Sequence, residues 1–408
     1  MMEKVIVIGA GLAGSEACWQ LAQRGISVEL HEMRPGKSTP AHKSAGFAEL
    51  ICSNSLRANN VENAVGLLKE EMRRCGSLIL AMADAHAVPA GGALAVDRYA
   101  FSDAVTEKIR SHPNITVIED EVTEIPAEGN VLIASGPLTS DALADHIAAC
   151  FPEQDYLHFF DAVAPLVTFE SVNMERAWFA SRYDRGTPDY VNCPMAEEEY
   201  QAFWEALTTA QEAEVHGFED RGVFEGCMPV EALAARGEKT LAFGPLKPVG
   251  FTDPRTGRRP FALLQLRPEN GNKTMFNLVG CQTKLTYPAQ AVCFRKVPGL
   301  EHAEFVRFGS MHRNTYVNAP VSLNEELALK SRPNVHLAGQ ITGVEGYVES
   351  IACGLWVGQM LAAKLEGRCR SPRQRRPSAL CSTICPRPPS IFSRPMCILG
   401  SCRSPKSA

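Results

Sequence analysis

Apolar residues switch between two periods along this chain, and the switching outlines α/β elements. KVIVIGAG, residues 4–11, is a short apolar β-rich run ending in glycines, the pattern of a buried parallel strand. SEACWQLAQRG follows, with apolar positions at Ala17, Leu21 and Ala22 and a stop at Gly25, which predicts a helix. ISVELHE supplies a second strand. Residues 101–137 repeat the pattern: a helix-like segment, then the strands NITVIEDEV and NVLIASGP. From about 190 to 310 the period fades. A helical stretch near Glu197–Leu207 gives way to strand-and-turn segments such as LAFGPLKPVGF and PFALLQLRPENGNKTMFNLVGCQTKL, which read as an insertion. At 333–366 the α/β pattern returns: PNVHLAGQITG is a strand and a glycine turn, and EGYVESIACGLWVGQMLAAKLEG predicts a helix of about five or six turns.

The first glycines carry chemistry. Gly9-Ala10-Gly11-Leu12-Ala13-Gly14 is G-x-G-x-x-G at a strand-to-helix junction. In such a motif Gly9 makes the tight turn, Gly11 lets the backbone approach a pyrophosphate, and Gly14 lets helix and strand pack closely. The helix N-terminus then offers N–H groups and partial positive charge to the anion. Glu32, eighteen residues after Gly14, ends the second strand where an acid would accept ribose hydroxyls. Strand, helix and acid together predict dinucleotide binding. A second strand–glycine turn, Gly339-Gln340-Ile341-Thr342-Gly343, favours FAD over NAD, because flavoproteins of the two-dinucleotide-binding type close their site with such an element. The expected architecture is therefore α/β. A doubly wound, Rossmann-like FAD-binding domain spans 1–190 and 310–367, and a smaller α/β domain is inserted at 191–309.

Composition adds two constraints. The 408 residues carry a net charge of −5, yet from Arg368 onward eight Arg and one Lys face no acid, which leaves the body before the tail at about −14. That tail has seven Pro and five Cys and no regular period, so it cannot bury enough apolar surface to offset its ordering entropy. Residues 368–408 thus read as an atypical, disordered appendage. No apolar run approaches the ~20 residues that span a bilayer, and no signal-peptide layout precedes Val5, so a cytoplasmic protein is expected. The fourteen cysteines include no CxxC pair, which argues for reduced thiols and against a zinc ribbon; no metal site is expected. Cys18, Cys75, Cys150 and Cys353 sit in helical patterns and read as core or near-core. Cys52 in ICSNSLR and Cys227 in FEGCMP stand instead among polar or turn-forming residues.

GAGLAGSEA, LHEMRP, ELICSNSLR, ALAVDR, ASGPLTS, FEGCMPVE, MHRNTY and LAGQITGVEGYVESIACG resemble, in order, the signatures of the folate- and FAD-dependent tRNA (uracil-5-)-methyltransferases. The resemblance runs from about residue 2 to 366. It implies FAD as cofactor, NADH or NADPH as its reductant, and 5,10-methylenetetrahydrofolate as donor of a methylene carbon to C5 of the T-loop uridine (uridine-54) of tRNA, giving ribothymidine. By its match to the family motif, Cys227 would be the nucleophile that adds to C6 of the uracil. Cys52 would stand at the flavin, where the family's cysteine holds or protects the flavin–methylene adduct. Both roles need thiolates and hence electropositive surroundings. His312, Arg313 and Tyr347 are candidate folate contacts. Because the body is acidic, tRNA needs a local basic patch; Lys247–Lys273, with Lys247, Arg255, Arg258, Arg259, Arg267 and Lys273 against Asp253 and Glu269, is the best candidate. The family continues past the long helix into an ordered segment, where this chain carries its basic tail. A flavin oxidoreductase of small molecules, or another tRNA-uridine-modifying flavoprotein, is the alternative reading.

Overall fold

The computed structural model describes residues 4–39, 41–150, 156–184, 186–213 and 228–367. Cys227 and the tail from Arg368 lie outside the described residues.

The apolar run Lys4–Ile8 becomes the middle strand of a five-stranded parallel sheet. Its neighbours are Ser27–His31 and Asn130–Ile133, and the outer strands are Ile115–Ile118 and Val335–Leu337. With neighbours from distant parts of the chain on either side, the first strand delivers its C-terminal end to a topological switch point, where open α/β sheets bind ligands. Val5, Val7, Leu30, Leu132 and Leu337 are fully buried, as strands covered on both faces require. The helix Leu12–Ala22 packs along the nineteen-residue helix Tyr347–Leu365. The approach leaves no room for a side chain: a Cβ on Gly354 would lie 2.2 Å from the Ala13 carbonyl oxygen, and one on Gly358 would lie 3.0 Å from the Ala17 Cα.

A second, antiparallel sheet of six strands runs in the order Trp178–Ala180, Tyr190–Met195, Ala262–Pro268, Met275–Leu278, Leu166–Thr168, Phe305–Arg307. The helices Glu197–Thr209, Val230–Ala235 and Tyr287–Phe294 share its apolar core, in which Phe203, Leu264, Phe276 and Phe294 are buried. This sheet begins at Leu166, ahead of the expected insertion boundary at 191. Strands of three residues at 166–168 and 178–180 are too short to show a period in sequence, which is why they were not separable from the preceding chain. The two passages of chain between the sheets, Tyr156–Val163 and Ser310–Val317, pair as an antiparallel ribbon. A small sheet of Ser55–Ala58, Ala93–Val96 and Ala87–Val88 supports the Cys52 loop. Among the described residues no helix is long and apolar enough to cross a membrane.

Candidate functional site

The glycine turn builds a cleft at the end of the first strand. Gly9 has φ +99°, and a Cβ there would lie 2.6 Å from the Ser135 Cα, so the turn excludes other residues on two counts. A Cβ on Gly14 would fall 1.9 Å from the Gly9 carbonyl oxygen, which ties the helix start to the strand end. Gly11 differs: nothing lies within 4 Å of its Cβ position, and it lines the cleft. Among the described residues no side chain caps the first turn of Leu12–Ala22, and its N-cap residue Gly11 lines the cleft. The cleft opens between Gly9, Gly11, Glu32, Ser135, Thr139 and Leu143. It presents a helix N-terminus and a backbone cradle to an anion of pyrophosphate type.

Glu32 lines the same cleft but is held tightly by the chain. Its Oε2 accepts the Ala10 N–H at 2.8 Å, and its Oε1 accepts the Arg34 Nε at 2.8 Å and the Arg34 N–H at 3.1 Å. Burial pushes the carboxyl up, but the Arg34 hydrogen bond and charge and the backbone donors outweigh it, so Glu32 ionises more readily than an ordinary glutamate. Arg34 continues to Glu49 at 3.0 Å. Gly339, Gln340 and Gly343 form a single 3₁₀ turn after the strand Val335–Leu337, and the helix itself starts only at Tyr347. A Cβ on Gly339 would sit 2.7 Å from the Ala13 Cβ, so this second glycine turn abuts the first helix.

Tyr347 meets Cys52. The Cys52 N–H donates to the Tyr347 hydroxyl oxygen at 2.8 Å, the Ser53 N–H reaches it at 3.4 Å, and the Cys52 Sγ lies 3.0 Å away. The tyrosine expected to face folate is thus a partner of the thiol. Buried Asn54 anchors the loop: its Nδ2 donates to the Val96 and Pro268 carbonyls and its Oδ1 accepts the Arg267 Nε at 3.0 Å. Lys69 donates to the carbonyls of Leu56 and Ala58, both at 2.7 Å. Arg98 donates to the Leu50 carbonyl and, at 3.0 Å, to that of Ile51, and pairs with buried Glu269 at 3.0 Å.

Side-chain contacts revise the basic patch. Arg267 is buried and donates to Asn54 and, at 2.8 Å, to the Ser53 hydroxyl. Glu269 neutralises Arg98, Arg255 pairs with Asp253 at 2.8 Å, and Lys273 reaches Asp189 at 3.4 Å. Charge density in sequence could not reveal these partners, because most of them are distant in the chain. Lys247, Arg258 and Arg259 remain exposed. Beside Lys247 stands Phe243, 77% exposed at the end of the short helix Thr240–Phe243 and unmarked by any sequence pattern. Its N–H donates to the Lys239 carbonyl, and the Lys247 N–H donates to the Gly244 carbonyl, so one pair of turns carries the ring and both lysines. Pro245 packs on Gly280, and the Gln282 carbonyl accepts the Val230 N–H at 2.7 Å, at the start of the helix Val230–Ala235.

His312 and Arg313 lie on the ribbon strand Ser310–Val317, opposite Asp161 and Phe160, and their side chains are outside the described residues. The other thiols sort by burial. Burial pushes Cys193 up to about 12 and Cys293 and Cys353 to about 11, and raises Cys18 and Cys281 as well; these are packing residues. Cys75 is exposed, at the end of the helix Ala64–Arg74, and does not belong to the core. Cys150 is half-buried and ends the helix Asp141–Ala149.

Comparison with known proteins gives the family and the fold. The family model described as glucose inhibited division protein A matches residues 4–369. A methylenetetrahydrofolate–tRNA-(uracil-5-)-methyltransferase TrmFO of Desulforudis audaxviator is 61% identical over 89% of this chain and 82% of its own length. A protein of the same description from Acetivibrio thermocellus is 58% identical over 91% of this chain and 85% of its own. Among solved structures, Aquifex aeolicus GidA superposes with a TM-score of 0.69 at 15% identity, covering 94% of this chain and 69% of that one. Its second crystal form gives 0.67 at 15% identity, covering 90% of this chain, and there the chain spans 64% of the GidA length. At that identity the likeness speaks for the fold alone.

Proposed function

The chain belongs to the glucose inhibited division protein A family, and from that premise we propose that it transfers a carbon from 5,10-methylenetetrahydrofolate to C5 of a tRNA uracil and completes it as a methyl group. The observation that carries the reading is the identity of 61% with a relative of that described activity, extending across both sheets. The residues suit FAD. Gly11 leaves a cradle that any Cβ would fill, the uncapped helix end offers donors, and Glu32 is ionised at the cleft edge. When bound, FAD supplies the reducing equivalents of the reaction, and NADH or NADPH restores them. The target is the T-loop uridine-54 and the compartment the cytoplasm.

In this mechanism the Cys227 thiolate adds to C6 of the uracil, and the electron pair moves to C5 as an enolate. C5 attacks the methylene carbon; the C5 proton is lost and the bond from that carbon to its carrier nitrogen breaks, the nitrogen keeping the electron pair. Hydride, which the reduced flavin would supply, then adds to the exocyclic methylene and expels the Cys227 thiolate, which restores the ring and leaves a methyl group. Cys52 works at the flavin side, gripped by Tyr347, Arg98 and Arg267. Gly339, Gln340 and Gly343 hold that side of the site, and His312 and Arg313 contact the folate. With tRNA, labelled methylenetetrahydrofolate and NADPH, label is expected in the T-loop uridine. Label arriving only from S-adenosylmethionine overturns the proposal.

Lys247, Arg258 and Arg259 contact the tRNA backbone, and Phe243 offers a ring for base stacking beside them. The two kinds of contact have different salt signatures. Phe243→Ala is expected to weaken tRNA binding about tenfold with an unchanged salt slope, since stacking is worth roughly 1–3 kcal/mol per base. Lys247→Ala is expected to lower the slope of log K against log salt by about one. Filter binding at four or more salt concentrations measures both; equal slopes for Lys247→Ala and the parent remove Lys247 from the interface.

A further inference from the structure

Arg307 is an unusual charge. It stands at the end of the strand Phe305–Arg307, and its Nε and Nη2 are buried without a hydrogen-bond partner among the described residues. Its Nη1 reaches the Ile51 carbonyl at 3.5 Å, the same oxygen that accepts the Arg98 Nη1 at 3.0 Å. Two guanidinium groups therefore converge on the peptide that joins Ile51 to Cys52. Glu269 answers one of them, with both its oxygens on the Arg98 Nη2 at 3.0 and 3.1 Å. Arg307, half-buried at the edge of a pocket, has no acid hydrogen-bonded to it among the described residues. Leaving a buried charge without a counter-ion is costly, so an anion belongs here.

The atoms next along the chain supply it. The Tyr347 oxygen already accepts from the Cys52 N–H, with the Ser53 N–H behind it, which leaves its own hydrogen directed at the Cys52 Sγ. Tyr347 keeps that hydrogen: burial, then the neighbouring Cys52, push its hydroxyl well above the ordinary tyrosine value. In the Tyr347–Cys52 pair the thiol is accordingly the group that ionises. The charged groups that hold or adjoin the Cys52 loop include Arg98 at the start of the helix Arg98–Arg110, Glu269 and Arg267 near the end of the strand Ala262–Pro268, Arg307, the Arg57–Glu349 pair, and Lys43 and Glu49, which share a pocket with Arg98 and Arg307. Arg57 cancels Glu349 and Arg34 pairs with Glu49, which leaves cations in excess around the loop.

We propose that Arg307 is a positioning residue that, together with Arg98, holds Cys52 as a thiolate hydrogen-bonded by Tyr347, the thiol proton having passed to solvent. The inference rests on reading Cys52 as the flavin-side thiol for its purpose, but its test needs neither tRNA nor folate. Alkylation of the purified full chain by iodoacetamide across pH, followed by mass spectrometry of the Cys52 peptide, reads the thiolate directly. In the parent protein Cys52 is expected to titrate below the ordinary thiol value of about 8.5. Arg307→Met is expected to move the titration upward and slow alkylation at neutral pH about tenfold, and Arg307→Lys to restore part of it. A parent Cys52 that titrates at or above the ordinary value overturns the proposal without any variant, as does an Arg307→Met profile that overlays the parent's. Failure of methyl transfer with a depressed Cys52 titration would instead count against the proposed function alone.

Discussion

Gly354→Ala is expected to leave a protein with little bound flavin and a sharply lowered melting temperature, although it adds one methyl group far from any reacting atom. That methyl would stand 2.2 Å from the Ala13 carbonyl oxygen, 2.7 Å from the Ala13 Cα and 2.8 Å from the Ala13 carbonyl carbon. All three are backbone atoms, which cannot rotate away as a side chain can. The helices Leu12–Ala22 and Tyr347–Leu365 must then separate, and overpacking of this kind costs about 3 kcal/mol. The separation acts where Gly14 already sits 1.9 Å, at its Cβ position, from the Gly9 oxygen and where Gly339 touches Ala13. The anion cradle loses its geometry along with the packing. Thermal unfolding and the flavin-to-protein absorbance ratio measure the two effects. Gly92→Ala is the control, since nothing lies within 4 Å of that position, and it is expected to change neither. A Gly354→Ala protein with parental melting and full flavin would show that the two helices do not need their present separation.

The same comparison of near and far contacts explains what the sequence disclosed. Val5–Ile8, the glycines and the helix after them were legible because strand, turn and helix each follow from neighbours a few residues apart. The long helix from Tyr347 was legible for the same reason, although the 3₁₀ turn and Gly346 delay its start. What stayed hidden is long-range. Arg98 and Glu269 lie 171 residues apart and Arg267 and Asn54 lie 213 apart, so nothing local marked them as one clamp around Cys52. Exposed charge and buried charge read alike in sequence, which is how Arg267 came to be counted with the exposed Lys247. Phe243 was hidden by the opposite effect: an aromatic residue among apolar ones reads as core, and only the fold puts it at 77% exposure.

The thiols separate by their chemistry. Cys227→Ala is expected to abolish methylation, by at least about a thousandfold, while FAD content and flavin reduction by NADPH stay at the parent level, because on the proposed reading this thiol acts only on the uracil. Cys52→Ala is expected to suppress methylation too, but for a different reason, since on the proposed reading its thiol, held by Tyr347, acts at the flavin side. Activity alone cannot tell the two apart. A tRNA carrying 5-fluorouridine can, because the thiolate still adds at C6 but fluorine at C5 cannot leave as a proton does. Parent protein and Cys52→Ala are expected to form a covalent protein–RNA species that survives denaturing electrophoresis, wherever the one-carbon donor and reductant allow addition to proceed. Cys227→Ala is expected to form none. If Cys227→Ala traps the RNA and Cys52→Ala does not, the assignments are reversed. The electropositive clamp around Cys52 would then serve the attack on uracil, with Arg98, Arg307 and Tyr347 tuning the nucleophile itself.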